Sequence, residues 1–162
     1  MSHPIFARLD DQLRQLEEEL GNLQTSERNS REIKKSAPRL YDEWTHRSAI
    51  AGGVRSVYSG LESIMNSIAN EIDQYEPPRG EHWHEKLIDQ LAVSIEGVRG
   101  PLLGPGSRLL FHELRKFRHV VHHHYAQNLE MPKVVENHAR LKKAFAAFKR
   151  DYRRFSKALQ AA

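Results

Sequence analysis

Residues 141–159, LKKAFAAFKRDYRRFSKAL, repeat large apolar side chains in alternating steps of four and three: Leu141, Phe145, Phe148, Tyr152, Phe155 and Leu159. An α-helix turns about 100° per residue, so this spacing gathers all six on one stripe, whereas a strand would need a period of two. Between them Lys142, Lys143, Lys149, Arg150, Arg153, Arg154 and Lys157 form basic flanks. The stretch reads as a helix with a packing seam, with Pro132 near its start.

The same period governs the rest of the chain, and no segment sustains a period of two or repeats itself over a solenoid-like length. A first helix over about residues 4–24 lines up Ile5, Leu9, Leu13, Leu16, Leu20 and Leu23. The polar run TSERNSREIKKS that follows, residues 25–36, is expected to be a loop or a frayed extension. A second helix, from Pro38 to Tyr75, carries Ile50, Val54, Val57, Leu61, Ile64, Ile68 and Ile72; Gly52 and Gly53 interrupt it and mark either a kink, a close helix crossing or a tolerated weak spot. A third, over residues 81–95, buries Leu87, Leu91 and Ile95, and a fourth runs from Ser107 as N-cap to about Tyr125. The expected fold is all-α, an up-and-down bundle of four to five helices formed as one domain over residues 1–162.

A chain of 162 residues can withdraw roughly 70% of its unfolded surface from water, so a full core is available. It has no cysteine, which excludes disulfides, thiolate metal sites and a cysteine nucleophile. No apolar run approaches the ~20 residues of a membrane span, and MSHPIFARLDDQL lacks the apolar block of a signal peptide, so a soluble, cytoplasmic protein is expected. The formal charge of +4 is unevenly placed: residues 1–30 hold three arginines against six acids, residues 131–162 nine Lys/Arg against two acids. The basic end suits either a polyanion or a solvated helix face. The loop GVRGPLLGPGS, residues 97–107, follows a helix and lacks the Lys-Ser/Thr ending of a P-loop.

Residues 118–125, RHVVHHHY, concentrate four of the ten histidines. On a helix, Leu110, Leu114, Phe117 and Val121 form the core stripe; Arg118, His122 and Tyr125 border it, and His112, His119 and His123 make a second polar face. Three readings fit these residues. His119 and His123, four apart, could ligate a metal, but no HExxH or aspartate pair supplies a general base, and no metal is expected. The imidazoles could merely decorate an exposed helix end. Or they could act on a phosphodiester, since histidine titrates near neutral pH and serves as acid or base, while arginine stays charged and grips phosphate through two nitrogens.

RHVVHHHY resembles the R-x4-H-x-Y motif of the HEPN superfamily, and specifically of its HepT-like ribonuclease toxins. YSGLESIMNSIANEID, GEHWHEKLIDQL and LRKFRHVVHHHYAQNL stand in the order and spacing of those proteins, over roughly residues 55–160. The resemblance implies a helical bundle that forms a symmetric homodimer and cuts single-stranded RNA without a metal or other cofactor, leaving a cyclic 2′,3′-phosphate. It implies that Arg118 holds the scissile phosphate, that His119 supports it, and that His123 is the general base or acid, with His122 and His124 as alternates because the superfamily tolerates four to six intervening residues. Tyr125 matches the tyrosine that a minimal nucleotidyltransferase antitoxin can modify with AMP (AMPylation). Arg115, Lys116, Lys149 and Arg153 are expected to assist RNA binding. Trp83 and His84 match a recurrent Trp-His pair, read as a core anchor and a structural hydrogen-bonder, with Glu62 expected near the arginine across the bundle. The alternative function is a non-catalytic HEPN module that binds RNA, nucleotide or a partner protein.

Overall fold

The computed structural model describes residues 3–123 and 129–162. Five helices account for most of them: α1 (Pro4–Ser36), α2 (Glu43–Glu71), α3 (Trp83–Leu91), α4 (Pro105–His123) and α5 (Met131–Ala161), with a 3-10 turn at Pro38–Leu40. They form an all-α bundle in which α2 packs against each of the other four. Its buried stripe, Ile50, Val54, Val57, Leu61, Ile64 and Ile68, is the heptad-like seam of the sequence, and Ala51, Tyr58, Met65 and Ala69 widen it to meet several neighbours at once. The fourth-helix stripe is centred on Phe111, Leu114 and Phe117, with Leu110 and Val121 only partly covered.

Gly53 marks a close crossing. A Cβ there would lie 2.6 Å from Leu23 Cδ1, so α1 and α2 approach closely at this point; Gly52 faces open space. Gly60 repeats the device against Leu16, a contact the sequence did not announce.

Several element boundaries depart from expectation. Residues 25–36 are helix, the last three turns of α1, rather than a loop. Glu27 explains why: it pairs with Arg31 one turn on and is buried beside His46 of α2, at 3.8 Å, so a polar segment gains both a local pair and a tertiary contact. The second helix begins at Glu43, capped by the Asp42 carboxylate on Thr45 N at 2.9 Å, because residues 38–40 form the separate 3-10 turn. Ser107 is not an N-cap but lies inside α4, where its hydroxyl donates to buried Asp151 of α5 at 2.5 Å; the same carboxylate accepts from Gly104 N at 2.9 Å.

The third helix stops at Leu91, short of Ile95, because the chain turns back: Leu102 N and Leu103 N both donate to Leu91 O. Arg99 holds this turn. Its guanidinium is fully buried and bonds Asp73 at 2.5 and 2.7 Å and the carbonyls of Val93, Gly100 and Gln90, while Gln90 Nε2 donates to the same aspartate. Removing one partner strands the other charge in the interior, so Arg99→Ala should lower the unfolding free energy by about 3–5 kcal/mol in urea titrations.

His46 and His138 are buried, and burial pushes both below their ordinary value of 6.5. At His46 Glu27 and Glu43 oppose the shift while Arg31 and Lys34 reinforce it; at His138 Lys142 and Arg31 reinforce it and Glu27 opposes. The unfolded chain then takes up protons near pH 6.5 that the folded chain refuses, so stability is fully present above about 6.5 and falls as the pH drops towards the folded values. Urea titrations between about pH 7.5 and pH 5.5 should show this loss, and His138→Leu should make it shallower.

Candidate active site

Glu62 begins the site. It lies on the core side of α2, 5% exposed, where a carboxylate requires donors. Tyr58, one turn earlier and fully buried, gives its hydroxyl proton to Glu62 Oε2 at 3.1 Å. Burial, reinforced by the Glu62 charge and hydrogen bond, pushes the Tyr58 phenol well above its ordinary range, so it remains a donor.

The second donor to Glu62 comes from α3. His84 Nδ1 lies 2.7 Å from the same Oε2. An ionised carboxylate only accepts, so Nδ1 carries the proton. The Trp83 ring, a buried anchor of α3 as expected, stands edge-on to the imidazole with centroids 4.7 Å apart and fixes its plane. The far nitrogen of His84, Nε2, meets Arg118 NH1 of α4 at 3.3 Å, and Arg118 Nε donates to Ser59 Oγ of α2 at 3.3 Å. A guanidinium only donates, so Nε2 is the acceptor and His84 is held as the neutral Nδ1–H tautomer. Glu62 therefore reaches Arg118 through an imidazole, and three helices contribute to one line of hydrogen bonds.

Among the described residues Arg118 carries its charge without a counter-ion, as Arg115 one turn earlier on α4 also does, with its Nε buried and without a hydrogen-bond partner. Both hydrogen bonds of Arg118 are long and go to neutral groups. Further back on α4, Arg108 and His112 both bond Asp89, at 2.8 and 2.9 Å, and hold that carboxyl below its usual range against the opposing effect of burial. His112 is thereby turned away from the other histidines into a structural contact. The Arg118 guanidinium is thus half-buried and has no contacting anion among the described residues. A hollow of about 340 Å³ lined by Gly52, Arg55, Ser56 and Ser59 adjoins it through the shared Ser59, bringing a second arginine to the same face of α2.

The histidines of α4 are exposed in its last turn. His119 and His123 contact each other with ring centroids 4.3 Å apart, as their four-residue spacing requires, and His122 meets His123 edge-on at 5.1 Å. Arg118 bonds to α2 and α3 rather than to these rings. His124 and Tyr125 lie outside the described residues. Of the basic residues expected to assist RNA, Arg115 and Lys116 belong to α4, where Lys116 pairs with Glu113 at 3.0 Å. Lys149 and Arg153 line a separate groove of about 710 Å³ between α1 and α5, where Lys149 is paired with Glu17. Sequence reasoning missed Ser59 and Arg55; the signal for them was their four-residue spacing on α2 one turn before Glu62, which has meaning only once α4 is placed opposite.

An all-α bundle with a buried acid, an oriented arginine and a histidine-rich helix end defines the class. The family model described as "HepT-like protein" matches residues 49–159, which span α2 to α5, and the chain belongs to this HepT-like family. No curated protein and no solved structure matches it. No helix among the described residues is long and apolar enough to cross a membrane.

The hydrogen bonds assign the His84 tautomer, and ¹⁵N NMR of the imidazoles should show Nδ1 protonated and Nε2 bare. Replacing the acceptor, in Glu62→Gln, should shift that signal towards a tautomer mixture, because an amide can donate to Nδ1 as well as accept from it.

Proposed function

We propose that the protein is a metal-independent endoribonuclease, the toxin of a toxin–antitoxin pair, acting on single-stranded RNA. The observation that carries this reading is Arg118, a cation held in place by neutral hydrogen-bond partners and left without a contacting carboxylate among the described residues. Membership of the HepT-like family supports it.

In the reaction the 2′-hydroxyl gives its proton to a base and its oxygen attacks the neighbouring phosphorus. The 5′-oxygen leaves with a proton from an acid, giving a 2′,3′-cyclic phosphate and a free 5′-hydroxyl. Arg118 binds the non-bridging oxygens and meets the charge that grows on them, and because its orientation is set before substrate arrives, little reorganisation is needed at the transition state. The proton-transferring imidazole is His123, with His119 supporting it and His122 and His124 as alternates. A homodimer would bring a second such cluster beside the first and add positive charge along the RNA. The partner antitoxin is a minimal nucleotidyltransferase that adds AMP to Tyr125, putting bulk and negative charge seven residues along the chain from Arg118.

Purified protein should shorten single-stranded RNA in EDTA and leave cyclic-phosphate ends. Arg118→Ala and His123→Ala should each lower cleavage by about 100-fold or more while the melting temperature holds. RNA retarded in a gel yet intact would indicate the binding module instead, and cleavage that needs added metal would contradict the mechanism. Intact-mass measurement after co-expression with the nucleotidyltransferase should show one added AMP, absent from Tyr125→Phe.

A further inference from the structure

We propose that His84, oriented by Glu62, is the general base of the reaction, and that the histidines at the end of α4 supply the acid. The inference rests on the ribonuclease reading and assigns a second catalytic residue within it, on a different helix from the RHVVHHHY run.

Three observations and one point of chemistry carry it. Glu62 is buried and takes its hydrogen bond from Nδ1 of His84, at 2.7 Å, which fixes the tautomer that carries its lone pair on Nε2. That lone pair points at Arg118 NH1, 3.3 Å away, so the base sits beside the group that would hold the scissile phosphate. A 2′-hydroxyl lies next to the phosphorus it attacks, so an imidazole adjoining the phosphate clamp is within reach of its proton. Finally, 31% of the His84 side chain is exposed, so substrate can reach it, whereas its acid partner is closed off from water at 7%. A carboxylate behind, an imidazole in the middle and a reacting oxygen in front is the arrangement by which a buried acid orients a histidine base and stabilises the imidazolium that forms.

The surrounding groups suit the role. Glu62 and Tyr58 from α2 and Arg118 from α4 face the imidazole or its carboxylate partner. Arg118 keeps its Ser59 bond and offers its remaining guanidinium donors to a phosphate, and only the 3.3 Å bond from NH1 is given up when Nε2 takes the proton. The step balances: the 2′-hydroxyl proton moves to His84 Nε2, the new P–O2′ bond forms, the P–O5′ bond breaks, and the leaving oxygen takes a proton from His123 or its alternates. The exposed rings of His119 and His123, tilted against each other at 4.3 Å, stand on α4 rather than in line with Glu62, which leaves them the acid side of the exchange.

His84→Gln separates catalysis from architecture. A glutamine amide can donate to Glu62 and its oxygen can accept from Arg118, so a merely structural histidine would be replaced, but an amide cannot take up a proton at neutral pH. Cleavage of a short RNA is measured alongside binding of the same sequence carrying 2′-O-methyl groups, which cannot react. The expected result is a fall in kcat of about 100-fold or more with binding of the methylated RNA unchanged. Glu62→Gln, which keeps the size but not the charge, should also lower kcat without weakening binding, and serves if His84→Gln does not fold. Wild-type cleavage retained in His84→Gln overturns the inference alone, as does a loss of binding that matches the loss of cleavage. A wild-type protein that leaves RNA intact overturns the ribonuclease reading and the dyad together.

Discussion

A carboxylate withdrawn from water must be given donors, and the site is arranged around that requirement at Glu62. Tyr58 answers it from the same helix, and His84 answers it from α3. Because an imidazole has two ring nitrogens with opposite roles in its neutral form, satisfying the acid on one side dictates an acceptor on the other. Arg118 meets that acceptor. The short α3 is consequently more than a connector: Trp83, Leu87, Ile88 and Leu91 are buried along its inner side, and their packing sets the angle at which His84 reaches between α2 and α4.

Two arginines show how differently one side chain can be used. Arg99 is sealed in, its donors divided between Asp73 and three carbonyls, and its work is to tie the turn after α3 to the end of α2. Arg118 is half open, its two bonds are at 3.3 Å, and neither acceptor is charged. A guanidinium paired like Arg99 would have to break a buried ion pair to receive a ligand, at a cost of several kcal/mol. One held by a hydroxyl and an imidazole gives up much less.

The helices were legible in the sequence because their seams obey the three-and-four spacing, and the α2 and α5 stripes fall where that spacing places them. The end of α1 was not, since its residues are polar and their helicity depends on Glu27 meeting His46 of another helix. Arg99, Asp73 and Asp151 look in the sequence like ordinary surface charges; burial is a tertiary property that no local pattern carries. In the site, Arg118 and the α4 histidines stood out by their density, and His84 was expected to hydrogen-bond. What no spacing could give was its partners, one 22 residues before it and the other 34 residues after it, joined through a single ring.

That separation bears on when the site exists. The histidines of α4 are neighbours on one helix and would approach one another wherever that helix forms. The orientation of Arg118 instead requires α2, α3 and α4 to be packed together, because its partners Ser59 and His84 come from two other helices. Ordering a long side chain costs conformational entropy, and here that cost is met once, by the folding of the core around Leu61, Leu87 and Leu114, rather than at each encounter with a ligand. The orientation of the arginine is thus a property of the assembled bundle, set only where α2, α3 and α4 meet.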